Sequence, residues 1–319
     1  MKLEEALEKY RIPIPIDSEF YSEKYINYFK NKNSEIDQQL ERFRPFQEMY
    51  IKSFYATFYK SEENKKLSDK NAKAVVLGGQ TGAGKSGLVS LSKREFLDNG
   101  EQIYLIDDDL FRKFYPKSDE ILKECPEFFT VITAIGSSAV TPKIMKYASD
   151  NKLNFIFDGT LKNPRIINTA MSWEGYTINW KIMATSKTES LLSIFERNEE
   201  LRKMHAGRLI TVNAHNETYI GLEPTVIQLE NIPDVGRIQV YSRGVDKQYP
   251  VKQYDSEIPG KYSSAYVALK TIRNENEKQY SEKEILTRIK KLLNSEIPLN
   301  ENEIMEINVL KDELLNTAR

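Results

Sequence analysis

The residues best suited to chemistry form one unbroken run near the start of the chain, Gly79-Gln80-Thr81-Gly82-Ala83-Gly84-Lys85-Ser86. The spacing of its glycines, lysine and serine matches the phosphate-binding P-loop. Glycines let the backbone curl so that successive N–H groups point at phosphate oxygens, and the following helix adds its positive N-terminal end. We expect Lys85 to reach the β- and γ-phosphates of ATP or GTP and Ser86 to give an oxygen to Mg²⁺.

The sequence on both sides of this run supports a nucleotide site. The apolar residues Ala74–Leu77 predict a strand immediately before it, and Gly87–Phe96 predicts a helix after it. The alternative is a chance glycine-rich turn, which would not require a strand before it and a helix after it. The P-loop alone does not separate a kinase from a GTPase or a motor protein.

Three carboxylates, Asp107-Asp108-Asp109, follow the second apolar run, Ile103–Ile106. Ligands of open parallel sheets bind at the carboxyl ends of the strands, so we expect these side chains near the mouth of the P-loop. The two-residue period of a strand would place Asp107 and Asp109 on one side. One of them could accept a proton from a substrate hydroxyl, as a kinase requires. The alternative is an acidic helix cap with solvated charges.

The third apolar run ends in Asp158-Gly159-Thr160. Asp158 at such a strand end is suited to ordering Mg²⁺ or its water. Thr160 could hydrogen-bond a substrate. The alternative is a strand-to-helix turn in which glycine provides the geometry and threonine caps the helix.

Positive charge over a moving phosphate is the remaining requirement, and arginine is well shaped to supply it. Three arginines lie on a predicted helix and the loop after it: Arg197, Arg202 and Arg208. The alternative is a solvated charged face on which Arg197 and Arg202 pair with neighbouring glutamates.

From Lys73 onward, short apolar runs alternate with longer helical stretches, which is the pattern of βαβ units around a parallel sheet. A turn at Ser242-Arg243-Gly244 predicts a hairpin at the sheet edge. We therefore predict an α/β fold of the P-loop kinase type, a parallel sheet flanked by helices. The predicted strands are Ala74–Leu77, Ile103–Ile106, Leu153–Phe157, Ile178–Ala184 and Arg237–Tyr241.

We predict a helical N-terminal extension, a P-loop kinase domain and a helical C-terminal extension, at residues 1–70, 71–258 and 259–319. In the first, aromatic residues recur every four positions and form one apolar stripe: Phe46, Tyr50, Phe54 and Phe58. In the last, Ser281–Glu284 has the capping-box pattern that begins a helix, and a final helix is expected after Pro298.

Composition excludes several classes of function. The chain has 319 residues and a formal net charge of −1, so no overall field draws in nucleic acid or an anionic membrane. A single cysteine, Cys125, rules out an internal disulfide and fits a reducing cytoplasm. Only His205 and His215 are present, without the companions of a zinc site. No signal peptide or membrane-spanning run is recognised, so we expect a cytoplasmic protein.

Taken in order, these motifs resemble the zeta-toxin kinases, the toxin halves of bacterial epsilon/zeta-type toxin–antitoxin pairs. The resemblance runs from about residue 70 to residue 255. Its most specific parts are the P-loop with the preceding Leu77-Gly78, Ile106–Arg112, Asp158–Thr160, Phe195-Glu196-Arg197, Arg208, and Ile238–Arg243.

The resemblance implies a kinase that uses ATP or GTP to phosphorylate the 3′-hydroxyl of the amino sugar in UDP-N-acetylglucosamine. Lys85 and Ser86 would hold phosphate and Mg²⁺, and Asp109 would be the catalytic base. Thr160 would contact the substrate. Arg197 and Arg208 would stabilise the transferring phosphoryl group. A cognate antitoxin is also implied. The aromatic stripe of the N-terminal extension is expected to pack against the catalytic sheet, and the alternative is that residues 1–45 inhibit in cis as an antitoxin helix would.

Some positions depart from the family pattern. The chain has Asp158 where the family usually has glutamate, Lys162 where arginine is common, and Tyr115 where histidine is frequent. The phosphate-binding residues match the family pattern, so these departures bear on the identity of the acceptor substrate and not on nucleotide binding. A kinase of another hydroxyl compound, such as a nucleotide, a cofactor or an antibiotic, is one alternative. A nucleotide-switched binding protein without acceptor chemistry is the other.

Overall fold

The computed structural model describes residues 3–10, 72–112, 115, 117–203, 209–244 and 249–317. The aromatic stripe predicted between Phe46 and Phe58 lies outside these ranges. The chain divides into two compact units, residues 1–66 with 108–145, and residues 67–107 with 146–319. The three-part division predicted from the sequence stays a prediction.

The second unit is built on a six-stranded sheet with strand order β2-β3-β1-β4-β5-β6. Strands β1 to β5 are parallel, and β6 runs antiparallel to β5. This confirms the predicted α/β fold and its edge hairpin. The strands are β1 Ala72–Gly78, β2 Tyr104–Ile106, β3 Phe155–Asp158, β4 Tyr176–Met183, β5 Arg237–Arg243 and β6 Pro250–Asp255.

Eleven helices are described, together with a 3₁₀ turn at Pro126–Phe128. In chain order they are α1 Leu3–Tyr10, α2 Lys85–Asp98, α3 Asp108–Arg112, α4 Ser118–Glu124, α5 Phe129–Asp150, α6 Arg165–Met171, α7 Lys187–Lys203, α8 Val212–Glu230, α9 Ala265–Glu277, α10 Glu282–Leu293 and α11 Glu301–Thr317. None of the described helices is both long and apolar enough to cross a membrane.

The central strand β1 is buried along most of its length, because β3 and β4 pair with its two edges and helices cover the sheet. One face of the sheet packs against α2, where Val75, Leu77 and Leu88 meet in an apolar core. The P-loop leaves the carboxyl end of β1 between two neighbouring strands. Parallel sheets bind ligands at this kind of position.

The C-terminal helices pack onto α7 and α8 rather than forming a separate body. Leu191 and Phe195 of α7 share an apolar core with Ile289 of α10 and Leu310 of α11. The helix α10 begins with the predicted capping box, in which Ser281 and Glu284 exchange hydrogen bonds. The segment beyond residue 258 is therefore a structural support for α7.

Candidate active site

The shape of the P-loop depends on glycine. Gly82 has φ +77° and Gly84 has φ +96°, a left-handed region that other residues adopt only with strain. A Cβ added to Gly82 would lie 2.1 Å from the carbonyl oxygen of Ser190. Glycine at this position therefore lets the tip of the loop rest directly on the first turns of α7.

Lys85 begins α2 and folds over the loop. Its ammonium donates to the Gly79 carbonyl oxygen at 3.1 Å and lies 3.5 Å from the Gln80 carbonyl oxygen. Ser86, the next residue, is exposed in the first turn of the helix. A cation and a hydroxyl thus stand at the positive end of a helix, as a phosphate and Mg²⁺ site requires.

Gln80 differs from its neighbours because its side chain points into the core. It is fully buried, and its amide donates to the Thr185 carbonyl oxygen at 2.8 Å and to Ser190 Oγ at 3.1 Å. Its Oε1 accepts a hydrogen bond of 2.8 Å from Arg273 Nη2. Any contact between Gln80 and a phosphate therefore comes from its backbone.

Arg243, at the end of β5, supports the loop from a second side. Its Nε donates to the Ala83 carbonyl oxygen at 3.1 Å, and its guanidinium also donates to the Gly82 carbonyl oxygen. Its Nη1 pairs with Glu189 at 2.7 Å. Burial lowers the pKa of Arg243, and the carboxylate of Glu189 opposes that change. Sequence reasoning placed this arginine in a motif without giving it a role.

The turn after β3 lies against the start of the P-loop. Asp158 is in register with Leu77 of β1, and the Gly79 N–H donates to the Thr160 carbonyl oxygen at 3.2 Å. Leu161 has φ +53°, which is strained for leucine, and its side chain packs against the end of β1. The structure thus brings Asp158 and Thr160 beside the P-loop, as the strand ends predicted.

The two described arginines of α7 have different surroundings. Arg202 pairs with Glu199 at 3.1 Å and with Glu303 at 3.0 Å, so for this residue the charge-pairing alternative is correct. Arg197 is exposed and forms no ion pair or hydrogen bond within the described part of the chain. It lines a depression with Thr81 and Gly82 at the P-loop tip.

Arg208, the other arginine expected to act on the phosphoryl group, lies outside the described residues.

The acidic turn does not continue the strand. Strand β2 ends at Ile106, and Asp108 begins the helical turn α3, so the two-residue alternation predicted for Asp107 and Asp109 is wrong beyond that point. Backbone hydrogen bonding of a helix replaces the pleat and turns successive side chains by about 100° rather than 180°.

Within the first unit, the residues of α3 are held by α5. Thr141 donates to Asp108, whose pKa burial raises. Asp109 Oδ1 accepts from Arg112 Nε at 3.0 Å, and Arg112 also donates to the Thr130 carbonyl oxygen at 2.9 Å. Asp109 is thus a partly exposed carboxylate, oriented by an arginine that is itself anchored on α5.

The oxygen donors suit Mg²⁺ that arrives with a nucleotide. No group of three potential ligands from histidine, cysteine, aspartate and glutamate exists among the described residues. Ser86 and Asp158 offer a hydroxyl and a carboxylate, the hard ligands that Mg²⁺ accepts while it keeps waters and phosphate oxygens. The residues present fit a shared protein–nucleotide site and do not form a metal cage.

The zeta toxin family model matches residues 59–258 of this chain. The chain belongs to the zeta toxin family. The resemblance expected from the motifs is confirmed. Toxin PezT of Streptococcus pneumoniae is 28% identical over 193 residues, covering 59% of this chain and 75% of PezT. Toxin zeta of Enterococcus hirae is 25% identical over 246 residues, covering 76% of this chain and 82% of that toxin.

A solved structure from the PezAT chromosomal toxin–antitoxin system of Streptococcus pneumoniae has the same fold. The match has a TM-score of 0.60 at 23% identity and covers 84% of this chain and 97% of that one. At this level of identity the match shows the fold alone. It therefore extends the shared architecture beyond the range of the zeta toxin family model.

Proposed function

We propose that this zeta toxin family member is an ATP- or GTP-dependent kinase that phosphorylates the 3′-hydroxyl of UDP-N-acetylglucosamine. The observation that carries the proposal is the P-loop, which is complete in sequence and is bordered by the Asp158–Thr160 turn and by Arg197, an arginine with no ion pair among the described residues. Phosphoryl transfer depends mainly on positioning and on stabilising charge, and these residues offer both.

Nucleotide binding is assigned to the backbone of Gly79–Ser86 and to the ammonium of Lys85. Lys85 at present donates to backbone carbonyl oxygens. A phosphate oxygen is a stronger acceptor than a carbonyl, so the ammonium would exchange these contacts for the β- and γ-phosphates. Mg²⁺, held through Ser86 and Asp158 with phosphate oxygens and water, would supply positive charge between the phosphates.

Arg197 is proposed to stabilise charge on the transferring phosphoryl group. A guanidinium without an ion pair can bind phosphate without first losing a carboxylate partner. Arg202 would have to break its ion pairs with Glu199 and Glu303 before it could do so. The carboxylate next to Arg197 in sequence, Glu196, is already bound by Arg288 at 2.6 Å. Arg208 is assigned the same role by the family motif.

Asp109 is proposed as the general base. The sugar hydroxyl gives its proton to the carboxylate while its oxygen forms a bond to the γ-phosphorus, and the bond to the ADP oxygen breaks. The ion pair with Arg112 holds the carboxylate in one orientation. A general base must be positioned in this way before it can accept a proton from the substrate hydroxyl. The assignment of Asp109 rather than Asp107 rests on the family motif.

Asp158 and Thr160 are proposed to contact the acceptor as well. The aspartate is one methylene shorter than the family's usual glutamate. The acceptor pocket is therefore the part of the site in which this chain is most expected to differ from other zeta toxins. Hydroxyl acceptors other than UDP-N-acetylglucosamine are therefore the main alternative.

By its family, the protein is proposed to act as the toxin of a toxin–antitoxin pair in the cytoplasm, with a cognate antitoxin protein. Inhibition in cis by the N-terminal extension is the alternative, and its residues lie almost wholly outside the described ranges. Removing residues 1–45 tests this alternative, because ATP affinity and toxicity should both rise if that segment inhibits. Unchanged values would contradict inhibition in cis.

Incubation with γ-labelled ATP and a panel of acceptors tests the activity itself. The panel contains UDP-N-acetylglucosamine, a nucleoside, a hydroxylated cofactor and an aminoglycoside, with the Lys85→Ala variant as control. The proposal predicts label in the sugar nucleotide with the native protein and none with the variant. Label in another acceptor would refute the substrate and keep the kinase. Label in inorganic phosphate alone would favour a nucleotide switch.

A further inference from the structure

An arginine from the C-terminal helices reaches the P-loop. Arg273 of α9 lies beyond the zeta toxin family match, and its side chain is 0% exposed. Its Nη2 donates to Gln80 Oε1 at 2.8 Å, and its Nη1 donates to the Tyr219 carbonyl oxygen at 3.1 Å. The contact with Gln80 joins residues 193 positions apart in the chain. This distance in sequence is why motif analysis did not find it.

The environment of Arg273 fixes the guanidinium in one position. Its carbon Cζ lies 3.9 Å from the centre of the Tyr219 ring, and Glu223 Oε1 is 3.4 Å from Nη1. A buried guanidinium is costly unless most of its donors are paired. Two elements supply that pairing: α8, through the Tyr219 carbonyl oxygen and Glu223, and the P-loop, through Gln80. Lysine could not reproduce this planar, forked arrangement.

Gln80 is the residue through which this contact can act on phosphate binding. Its own carbonyl oxygen accepts from the Ala83 N–H at 3.1 Å and closes the turn that forms the loop tip. Lys85 Nζ lies 3.5 Å from the same oxygen. A shift of Gln80 would therefore move both the curled backbone and the lysine that are assigned to the phosphates.

A second connection runs from α10 to the same loop. Glu189 of α7 is 5% exposed and pairs with Arg243, which holds the Gly82 and Ala83 carbonyl oxygens. The same carboxylate accepts from Arg288 at 3.0 Å and from the Tyr280 hydroxyl, both outside the family match. The C-terminal helices thus contact the P-loop by two independent polar routes.

We propose that Arg273 is a positioning residue for the nucleotide site and that the C-terminal helices hold the P-loop in its phosphate-binding shape. The inference rests on the proposed nucleotide-binding function. It assigns to the segment beyond residue 258 a direct part in ATP affinity, in addition to packing.

A double-mutant cycle on the full-length protein tests the proposal. Arg273→Met and Gln80→Met are made singly and together, and the Kd for ATP with Mg²⁺ is measured by calorimetry without acceptor. Arg273→Met should weaken ATP binding about 10- to 100-fold, the worth of a hydrogen bond to a charged group. In the Gln80→Met background, the same change should add less than about 3-fold, because the contact is already lost.

Two further variants keep the test decisive. Arg237→Lys, which alters an arginine paired with Asp255 at 2.8 Å at the opposite end of β5, should lower Tm without changing Kd. If Arg273→Met fails to fold, Arg273→Lys keeps the charge and should still weaken ATP binding. An Arg273 variant that lowers Tm but leaves Kd within about 2-fold, or an equal effect in both backgrounds, would overturn the proposal. Absence of ATP binding by the native protein would refute the proposed function instead.

Discussion

Acidification should destabilise this protein through His215, a buried histidine beneath the P-loop. The ring is 0% exposed. Its Nε2 is 2.8 Å from Ser190 Oγ, and its Nδ1 is 3.2 Å from Asn216 Oδ1. If Nδ1–H donates to Asn216, Nε2 accepts from the serine hydroxyl. A second proton on the ring would remove that acceptor, and it would place a charge near Lys187 and in a core that solvates it poorly.

The size of the effect follows from the pKa. Burial lowers the pKa of His215 from its ordinary value of 6.5 to about 4, with Lys187 and Arg273 adding to the decrease. Asn216 and Glu313 oppose it. Because each pKa unit is worth about 1.4 kcal/mol, full protonation disfavours the folded state by about 3 kcal/mol. The folded pKa is the lower one, so stability is complete above pH 6.5 and is lost as the pH falls toward 4.

Urea unfolding of the native protein and of His215→Gln, followed by tryptophan fluorescence, measures this effect. Between pH 7.5 and 5.0 the native protein should lose about 2 kcal/mol of unfolding free energy relative to the variant. Subtracting the stability of the variant from that of the native protein at each pH removes the contributions of the carboxylates and of the other histidine, which the two proteins share. A difference that stays flat over this interval would refute the burial argument.

Three further predictions concern the site. Lys85→Ala should abolish phosphoryl transfer with little change in Tm, as a radiolabel assay and calorimetry would show, and retained turnover would remove the P-loop from the mechanism. Arg197→Ala should lower kcat by at least about 10-fold with KM nearly unchanged, because its contact strengthens in the transition state. The matched change Arg202→Ala should lower Tm and spare kcat, and the reverse pattern would contradict the assignment. Gly82→Ala should eliminate ATP binding in calorimetry, because the added methyl meets the Ser190 carbonyl, and binding at native affinity would show that the loop is more tolerant than its contacts imply.

The elements that position the site were predictable because their signals are local. An apolar strand before the P-loop, a helix after it, and Asp158 at a strand end are each readable within a few residues. The capping box at Ser281 is local as well. The correct order of these motifs was enough to place the chain in its family.

The support beneath the loop was not predictable, because it depends on contacts between residues far apart in sequence. Nothing near Arg273 or Glu189 indicates that they reach the P-loop or its supporting arginine. The different surroundings of Arg197 and Arg202 also follow from the packing of α11, which brings Glu303 to one arginine and not the other. At the acidic turn, a short helix replaced the strand geometry that the preceding run implied.

Replacing Asp109 with asparagine tests the proposed phosphoryl transfer most directly. Asparagine keeps the size and hydrogen bonding of the side chain but removes its basic lone pair. We predict that Asp109→Asn transfers phosphate to UDP-N-acetylglucosamine about 10²- to 10⁴-fold more slowly, the usual worth of a general base. The Kd for ATP should be nearly unchanged, and the matched variant Asp107→Asn should lose less. Transfer by Asp109→Asn at the native rate would contradict the assignment of the base, and no transfer to this sugar by the native protein would contradict the proposed substrate.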